Sequence, residues 1–287
     1  MGHLKTKKAL SNLMQTSPLI SNKIPADVHA EILRRIALAE AEHDVKVLYA
    51  IESGSRAWGF ESSNSDYDAR FIYINRKDWY LSVNLEEQRN VIEYPIIDDI
   101  DLNGWDLRKA LRLFSKSNPA FIEWIQSPIG YVNHDDFANK MLELVPSIYC
   151  KERGITHYKS MARTNFRGYL KEAQVPVKKY FYVLRALLAV RWLETYGSIP
   201  PIEFSKMLHL IDNIPNLLTD ILALMERKKA AEELGREAPI VSIQNFIESE
   251  MVRMDAFGHL DYSVELEVEA VSSLNEVFRS FLIRAWN

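Results

Sequence analysis

Cysteine is nearly absent from this chain of 287 residues, and it has neither a long apolar run nor an excess of positive charge. The one cysteine, Cys150, excludes an internal disulfide and a cysteine-rich zinc module, which is typical of proteins in a reducing compartment. No apolar stretch approaches the roughly 20 residues of a membrane span, and the N-terminal lysines precede no apolar signal core. We therefore expect a cytoplasmic protein with no membrane partner.

Sequence signatures of several enzyme classes are missing too. The chain has no GxxxxGK(S/T) phosphate loop and no paired-glycine dinucleotide fingerprint, which argues against P-loop kinase chemistry and nicotinamide redox chemistry. Its seven histidines are scattered, and none pairs with another at metal-ligand spacing. The formal net charge of −4 gives no global attraction to nucleic acid, although a local basic groove is compatible with that total.

The most informative stretch begins with a short apolar segment, residues 45–51, that has the length and β-branched content of a strand. It ends at the small-residue turn around Gly54 and Ser55. If a short helix follows over residues 55–60, backbone N–H groups and the helix dipole converge on one point and favour an anion such as a triphosphate. The pattern predicts a phosphate-binding turn.

Residues 67–74 form a second predicted strand, and a strand alternates its side chains between two faces. Asp66, Asp68 and Arg70 therefore share one face. Carboxylate oxygens are ligands that Mg²⁺ prefers, with water and substrate phosphates completing the coordination. Arg70 is compatible with two roles, bidentate binding of a phosphate or local charge balance.

Two-metal phosphoryl transfer usually needs a further acid on a neighbouring strand, and residues 91–103 offer candidates. Asp99, Asp101 and Asn103 share a strand face in this segment. The acidic run that contains Asp98 and Asp99 is also typical of a solvated turn.

The combination of Gly54-Ser55 with Asp66-x-Asp68 resembles the DNA polymerase β-type nucleotidyltransferase superfamily. Within it the chain is similar to the bacterial and phage branch of predicted nucleotidyltransferases that includes RNA-repair-associated members. Three blocks carry this similarity: Gly-Ser-Arg-Ala-Trp-Gly at 54–59, Ser-Asp-Tyr-Asp-Ala-Arg at 65–70, and Asp-Leu-Asn-Gly-Trp-Asp-Leu-Arg-Lys-Ala-Leu at 101–111 with Lys-Ser-Asn-Pro at 116–119 and Glu-Trp at 123–124. The resemblance covers residues 45–131 well and the rest more loosely.

The resemblance implies a set of site residues and ligands. Asp66, Asp68 and Asp101 would be the catalytic, metal-binding carboxylates, holding two Mg²⁺ ions, or Mn²⁺ in their place. The substrate would be a nucleoside triphosphate, with ATP as the expected nucleotide, although the sequence has no readable base-selecting contact. The expected nucleotide-binding residues are Gly54, Ser55, Arg56, Arg70, Lys109, Asn118, Lys178, Lys179 and Arg185.

The predicted fold class is α+β, with a small mixed sheet and flanking helices followed by a helical domain. We expect a loose segment over 1–22, a nucleotidyltransferase catalytic domain over 23–135 and an α-helical domain over 136–287. After Cys150 the periodicity predicts helices and no convincing strand. The charged segment 226–237 is interpreted as an exposed helix end without chemistry.

One predicted helix has a basic stripe at four-residue spacing, which places its members on a single face. These candidate RNA contacts are Lys159, Arg163, Arg167 and Lys171. The alternative is the solvated face of an amphipathic helix.

These patterns favour Mg²⁺-dependent transfer of a nucleoside monophosphate to an acceptor hydroxyl on RNA, such as a tRNA or an RNA 3′ end. The same site would also suit a protein side chain or a small molecule, because surrounding surfaces choose the acceptor. A third hypothesis is a nucleotide- or RNA-binding module without catalysis. The oligomeric state stays open.

Overall fold

A mixed five-stranded sheet forms the centre of the first half of the chain. The computed structural model describes residues 24–230, 235–256 and 267–287. Strand order across the sheet is β3-β4-β2-β1-β5. The strands are β1 (Lys46–Glu52), β2 (Tyr67–Ile74), β3 (Val91–Glu93), β4 (Ile100–Asp106) and β5 (Gly130–Asn133).

The pairing of β2 with β4 decides where the polar side chains meet. These two strands are parallel, and their register sets Asp68 directly opposite Asp101. The other neighbouring strands pair antiparallel. The sequence prediction of one segment over 91–103 becomes two strands, β3 and β4, joined by a turn in which Asp98 and Asp99 have positive φ.

Helices cover both faces of the sheet. On one face lies α1 (Ala26–His43), whose Ile32 and Ile36 are fully buried in the same core as Val47 and Phe71. Four helices contribute to the core of the other face: α4 (Leu107–Ser115), α5 (Pro119–Trp124), α6 (Phe137–Ile148) and α11 (Val268–Trp286). Two short helices lie at strand ends, α2 (Gly54–Trp58) and α3 (Lys77–Tyr80).

The last helix, α11, packs back onto the first half of the chain. Ala270, Leu274 and Phe281 lie in the core under β1 and β2. Its Trp286 donates a hydrogen bond of 2.9 Å from Nε1 to the Asn75 carbonyl. The proposed boundary at residue 136 stays a prediction, but the sheet's own core already includes α6 and α11 from beyond it.

The second half is mainly helical. Its helices are α7 (Lys151–Tyr169), α8 (Lys179–Tyr196), α9 (Pro215–Ala230) and α10 (Val241–Ala256), with a 3₁₀ helix over Phe204–Ile211. The prediction that no strand follows Cys150 is wrong. Two-residue strands, β6 (Val175–Pro176) and β7 (Arg236–Glu237), pair antiparallel, and two-residue segments are too short to give a sequence periodicity.

α8 is apolar on nearly all sides, because other helices surround it. Eleven of its residues are buried, and it lies at the centre of a core that includes Phe204, Ile221 and Ile247. The turn after α2 joins this core, since the buried Phe60 ring stacks on Phe181 with centroids 4.6 Å apart. The segment that carries Gly54 is thus held against the helical half. Within the described ranges, no helix has the length and hydropathy to cross a membrane.

Candidate active site

The turn after β1 presses directly against Asp68. Gly54 begins α2 with φ of +58°, a left-handed conformation that glycine adopts without steric cost. A Cβ at this position would lie 2.0 Å from Asp68 Oδ2 and 2.8 Å from its Cγ. The Ser53 N–H donates to the Asp68 carbonyl at 2.9 Å. Only glycine therefore lets the small-residue turn and the carboxylate approach this closely.

Asp68 and Asp101 lie side by side, bridged by Arg70. Arg70 Nη2 donates to Asp68 Oδ1 at 3.0 Å and to Asp101 Oδ2 at 2.6 Å, and Nη1 donates to the Asp101 carbonyl at 2.7 Å. Burial raises the pKa of Asp68; Arg70 opposes this, while the charges of Asp101 and Asp66 add to it. The three carboxylates are therefore close enough to repel one another, and Arg70 offsets that repulsion.

Glu52, the last residue of β1, is a third acid beside Asp68 and is fully buried. Its Oε1 accepts a hydrogen bond from the Asp68 N–H at 2.9 Å, and its Oε2 accepts one from the Tyr131 hydroxyl at 2.6 Å. Burial raises the pKa of Glu52 to about 7, against the opposing effect of these two hydrogen bonds. Glu52 therefore fixes the backbone of Asp68 from inside the sheet.

Arg56 holds the loop that leads into β2. It is only 6% exposed, and its guanidinium donates to the Ser65 carbonyl at 2.5 Å and the Asp66 carbonyl at 3.2 Å. The same group stacks over the Tyr67 ring at 4.0 Å. These contacts are with the protein's own backbone and with a ring, and they hold the exposed Asp66 just before β2.

The carboxylates fit a hard cation only in part as they stand. Asp101 accepts from Arg70 on one oxygen and from the Asn103 amide on the other. Across the described residues, no group of three or more histidine, cysteine or acidic side chains is arranged to hold a metal ion. Asp66 and Asp68 suit Mg²⁺, which commonly binds one or two carboxylates and fills its other positions with water and phosphate.

The helical half forms a wall beside the carboxylates. Burial raises the pKa of Tyr182, and the negative charges of Asp68 and Asp66 raise it further, so this α8 side chain faces them. Its neighbour Lys179 lies 4.7 Å from the Tyr182 ring centroid and 4.2 Å from that of Tyr169. Both tyrosines are partly exposed, at 39% and 42%. The site is therefore bordered by two accessible rings with a cation between them.

α9 adds Lys228 to this wall. This lysine belongs to the charged segment 226–237, for which the sequence indicates no chemistry. Burial lowers the pKa of Lys228; the charge of Glu61 opposes this, and those of Lys178 and Arg56 add to it. Lys228 also lies 5.5 Å from the Phe60 ring centroid, next to the α2 turn. Lys228 therefore lies beside the α2 segment, close enough to Lys178 and Arg56 to be influenced by their charges.

A family model described as RlaP, the RNA repair pathway DNA polymerase beta family, matches residues 28–280. The chain belongs to this family. It is 43% identical over 251 residues to the uncharacterized protein YcgL of Bacillus subtilis (strain 168), covering 88% of this chain and 94% of that protein. A solved nucleotidyltransferase-like protein from Exiguobacterium sibiricum 255-15 is 12% identical, covers 88% of this chain and 90% of its own, and has a TM-score of 0.33.

Membership of the RNA repair pathway DNA polymerase beta family confirms the resemblance drawn from the Gly-Ser and Asp-x-Asp blocks. The predicted α+β fold, with a mixed sheet and helices in the C-terminal region, is also confirmed. The roles of individual residues stay predictions. The structure brings some of those residues together at the carboxylates and places others elsewhere.

Two predicted nucleotide-binding residues of this family member are held by structural partners, and a third lies away from the carboxylates. Arg185 is 3% exposed; its Nη1 donates to Glu123 Oε1 at 2.6 Å, and its guanidinium lies 4.7 Å from the Trp58 ring centroid. Asn118 caps α5 by accepting from the Phe121 N–H at 3.2 Å. Lys109 lies in the first turn of α4, beyond the end of β4 opposite to the one that carries Asp101.

The predicted RNA-contacting stripe is interrupted in the structure. Lys159 is 7% exposed, and burial lowers its pKa. Arg163 forms an ion pair with Asp255, and Lys171 lies beyond the end of α7. Arg167 is the exposed member within the helix. The four side chains therefore do not present one continuous basic surface, because α7 uses the first part of that face to pack on its neighbours.

Proposed function

We propose that the protein transfers a nucleoside monophosphate from a nucleoside triphosphate to an acceptor hydroxyl on RNA. The observation that carries this proposal is the pairing of Asp68 with Asp101 on adjacent parallel strands, with the Gly54 turn packed on Asp68. Family membership supports the same chemistry. Such a site suits phosphoryl transfer, where positioning and electrostatics account for most of the catalysis.

In this proposal Asp66 and Asp68 hold Mg²⁺, which when bound stabilises negative charge on the entering and leaving oxygens. Asp101 accepts the proton of the attacking hydroxyl, whose oxygen bonds to the α-phosphorus while the bond from that phosphorus to pyrophosphate breaks and pyrophosphate leaves. Arg70 lies between Asp68 and Asp101, so its guanidinium is placed to turn towards a phosphate of the bound nucleotide and free both carboxylates. A second Mg²⁺, or Mn²⁺, would depend on that movement.

The triphosphate is assigned to the turn at Gly54 and Ser55. Because α2 has only five residues, its dipole adds little, and the backbone N–H groups and the Ser55 hydroxyl supply the contacts. Lys228, which lies near the Phe60 ring, and Lys178, which is close to Lys228, would add positive charge near this turn. We expect ATP to bind there, although no described contact selects a base.

RNA is favoured as acceptor by the rings beside the carboxylates. Exposed aromatic side chains with interleaved cations suit single-stranded nucleic acid, because bases stack on the rings while cations contact the backbone. Tyr169, Lys179 and Tyr182 supply this combination. The family's RNA repair description agrees with this acceptor.

The test is to incubate the purified protein with each α-³²P-labelled nucleoside triphosphate, Mg²⁺ and cellular RNA or protein, and to follow the label. Asp68→Asn and Asp101→Asn should reduce labelling of RNA by about 10²-fold or more. Asp98→Asn is the matched control, because Asp98 is a 77% exposed aspartate of the neighbouring turn, and it should leave labelling unchanged.

Each pattern of labelling has one meaning. Label on RNA that the two site variants lose supports the proposal. Label on protein would show that the acceptor is a protein instead of RNA. Label on a small molecule, separated by thin-layer chromatography, would show that the acceptor is that molecule. If ATP binds tightly with Mg²⁺ but no acceptor gains label, the transfer proposal is wrong and the protein is a nucleotide-binding module without catalysis.

A further inference from the structure

A basic cleft lies along α4, away from the paired carboxylates. Four cations line it, together with Trp79, Asn90 and the buried Asp106; the cations are Arg108, Lys109, Arg112 and Lys116. Its volume is about 130 Å³. Asp106 lies five residues along β4 from Asp101, which is about 17 Å in a strand. The cleft is therefore separate from the site described above.

The frame of this cleft is built from several segments. Asp106 accepts hydrogen bonds from the Tyr80 hydroxyl at 2.5 Å, from the Asn75 amide at 3.0 Å and from the Arg108 N–H at 2.8 Å. These bonds tie α3, the end of β2 and the start of α4 together. The Asp106 carboxylate is thus occupied by hydrogen bonds that join the walls of the cleft. The basic side chains form the rest of its polar lining, together with Asn90.

The placement of the cations is unfavourable for the helix alone. Arg108 and Lys109 lie in the first turn of α4, where the helix dipole disfavours positive charge, and Arg108 and Arg112 are like charges four residues apart. Burial lowers the pKa of Lys109, so its charge is also costly to keep. An anion in the cleft would offset all three effects.

The cleft stays positively charged although one acid, Glu86, lies at its rim. Glu86 accepts from Arg108 at 2.7 Å and lies 3.5 Å from Arg112, but its side chain is 70% exposed. One exposed carboxylate thus faces two arginines; two lysines lie alongside, and the charge of Glu93 acts on one of them, Lys109. Such an exposed pair is weak and easily exchanged for another anion.

We propose that this cleft binds a phosphate group of a single RNA strand, as a second contact outside the transfer site. Arg108 and Arg112 would bind the phosphate oxygens in a bidentate manner, displacing Glu86, and Lys109 would add a third charge. Trp79 provides a half-buried ring wall for the attached nucleoside. The anion is a phosphate ester, and a free phosphate would present the same oxygens.

The test measures binding of a fluorescent single-stranded RNA to the full chain by anisotropy, without nucleotide or Mg²⁺, between 50 and 300 mM salt. The variant Arg108→Gln/Lys109→Gln/Arg112→Gln should weaken binding about tenfold or more. Its slope of log K against log salt should fall in magnitude by about 0.7, because the variant loses the contact with one phosphate of a single strand.

Arg34→Gln is the control, since Arg34 is an ion-paired surface arginine of α1 with a 54% exposed side chain, and it should bind RNA as the wild type does. Circular dichroism and thermal melting verify that both variants fold. Inorganic phosphate is titrated in parallel by calorimetry. Loss of phosphate binding with unchanged RNA binding would overturn the RNA assignment, and no change in either would overturn the cleft as an anion site.

This proposal fails separately from the transfer reaction. Asp68→Asn abolishes transfer if the proposed function holds, yet it should leave the salt slope of RNA binding to the cleft intact. A protein that lacks transferase activity altogether would still show the difference between the triple variant and Arg34→Gln.

Discussion

Replacing Gly54 by alanine tests whether the close approach of the turn to Asp68 matters. The new Cβ would lie 2.0 Å from Asp68 Oδ2, whereas ordinary van der Waals contact begins at 3.4 Å. The carboxylate, the turn or both must therefore move by about 1.4 Å. A displacement of about 1 Å at a reacting centre can reduce a rate about 10²-fold, so we expect Gly54→Ala to lose transfer activity on that scale.

The backbone adds a separate effect on stability. Alanine at φ of +58° costs about 1–2 kcal/mol, because its Cβ approaches the carbonyl oxygen in the left-handed conformation. Gly197→Ala is the matched control: Gly197 has φ of +68°, and a Cβ there meets no described heavy atom within 4 Å. It should show a similar loss of stability in urea denaturation and retain full activity.

The two variants are compared by urea denaturation and by single-turnover transfer of α-labelled nucleotide. If both keep activity within about threefold of each other while both remain folded, the position of Asp68 against the turn does not matter for the reaction. The assignment of the turn to the catalytic centre would then be wrong. A larger activity loss in Gly197→Ala would refute it as well.

Three further substitutions report on the interior. The pKa of Glu52 is raised in the folded state, so the folded protein binds more protons than the unfolded chain between pH 4.5 and about 7. The protein therefore loses stability as pH rises through that window, by up to about 3 kcal/mol. Glu52→Gln should flatten the pH dependence of the unfolding free energy measured in urea, and an unchanged pH dependence would contradict the burial effect. Glu123→Ala leaves Arg185 buried without its carboxylate and should lower the free energy of unfolding by about 3–5 kcal/mol. The double variant Glu123→Leu/Arg185→Met should recover much of that loss. Equal stabilities of the single and double variants would exclude an uncompensated buried charge as the cause. Trp286→Ala removes the hydrogen bond to Asn75 and should lower stability by about 1–3 kcal/mol, with Trp286→Phe intermediate in a thermal melt.

The part of the site that follows local rules could be predicted from the sequence. A strand, a small-residue turn and a second strand are contiguous, so their periodicity indicates where Gly54 and Asp68 lie. Asp101 needed the family resemblance, because the partner of β2 in the sheet is decided by packing. The parallel pairing then sets Asp101 opposite Asp68.

Residues whose environment depends on distant segments could not be predicted. Glu52 is a single acid at a strand end, and its burial and its hydrogen bonds from the Asp68 N–H of β2 and the Tyr131 hydroxyl of β5 arise only when the sheet is assembled. Lys228 belongs to a charged run typical of a solvated helix, until the packing of α9 brings it to the α2 turn. Arg185 has the pattern of a ligand-binding cation, yet its partner Glu123 lies 62 residues away. Periodicity indicates a face of a helix and leaves open what that face meets.

The return of α11 to the sheet has a consequence for biosynthesis. The underside of β1 and β2 is apolar; α4, α5 and α6 cover part of it, and Ala270, Leu274 and Phe281 of α11 complete the cover. During translation, the part of this surface that α11 covers stays open to water until the last helix has been made. A nascent chain stopped before α11 thus exposes apolar surface of this core, and such transiently exposed surface makes folding intermediates prone to aggregation.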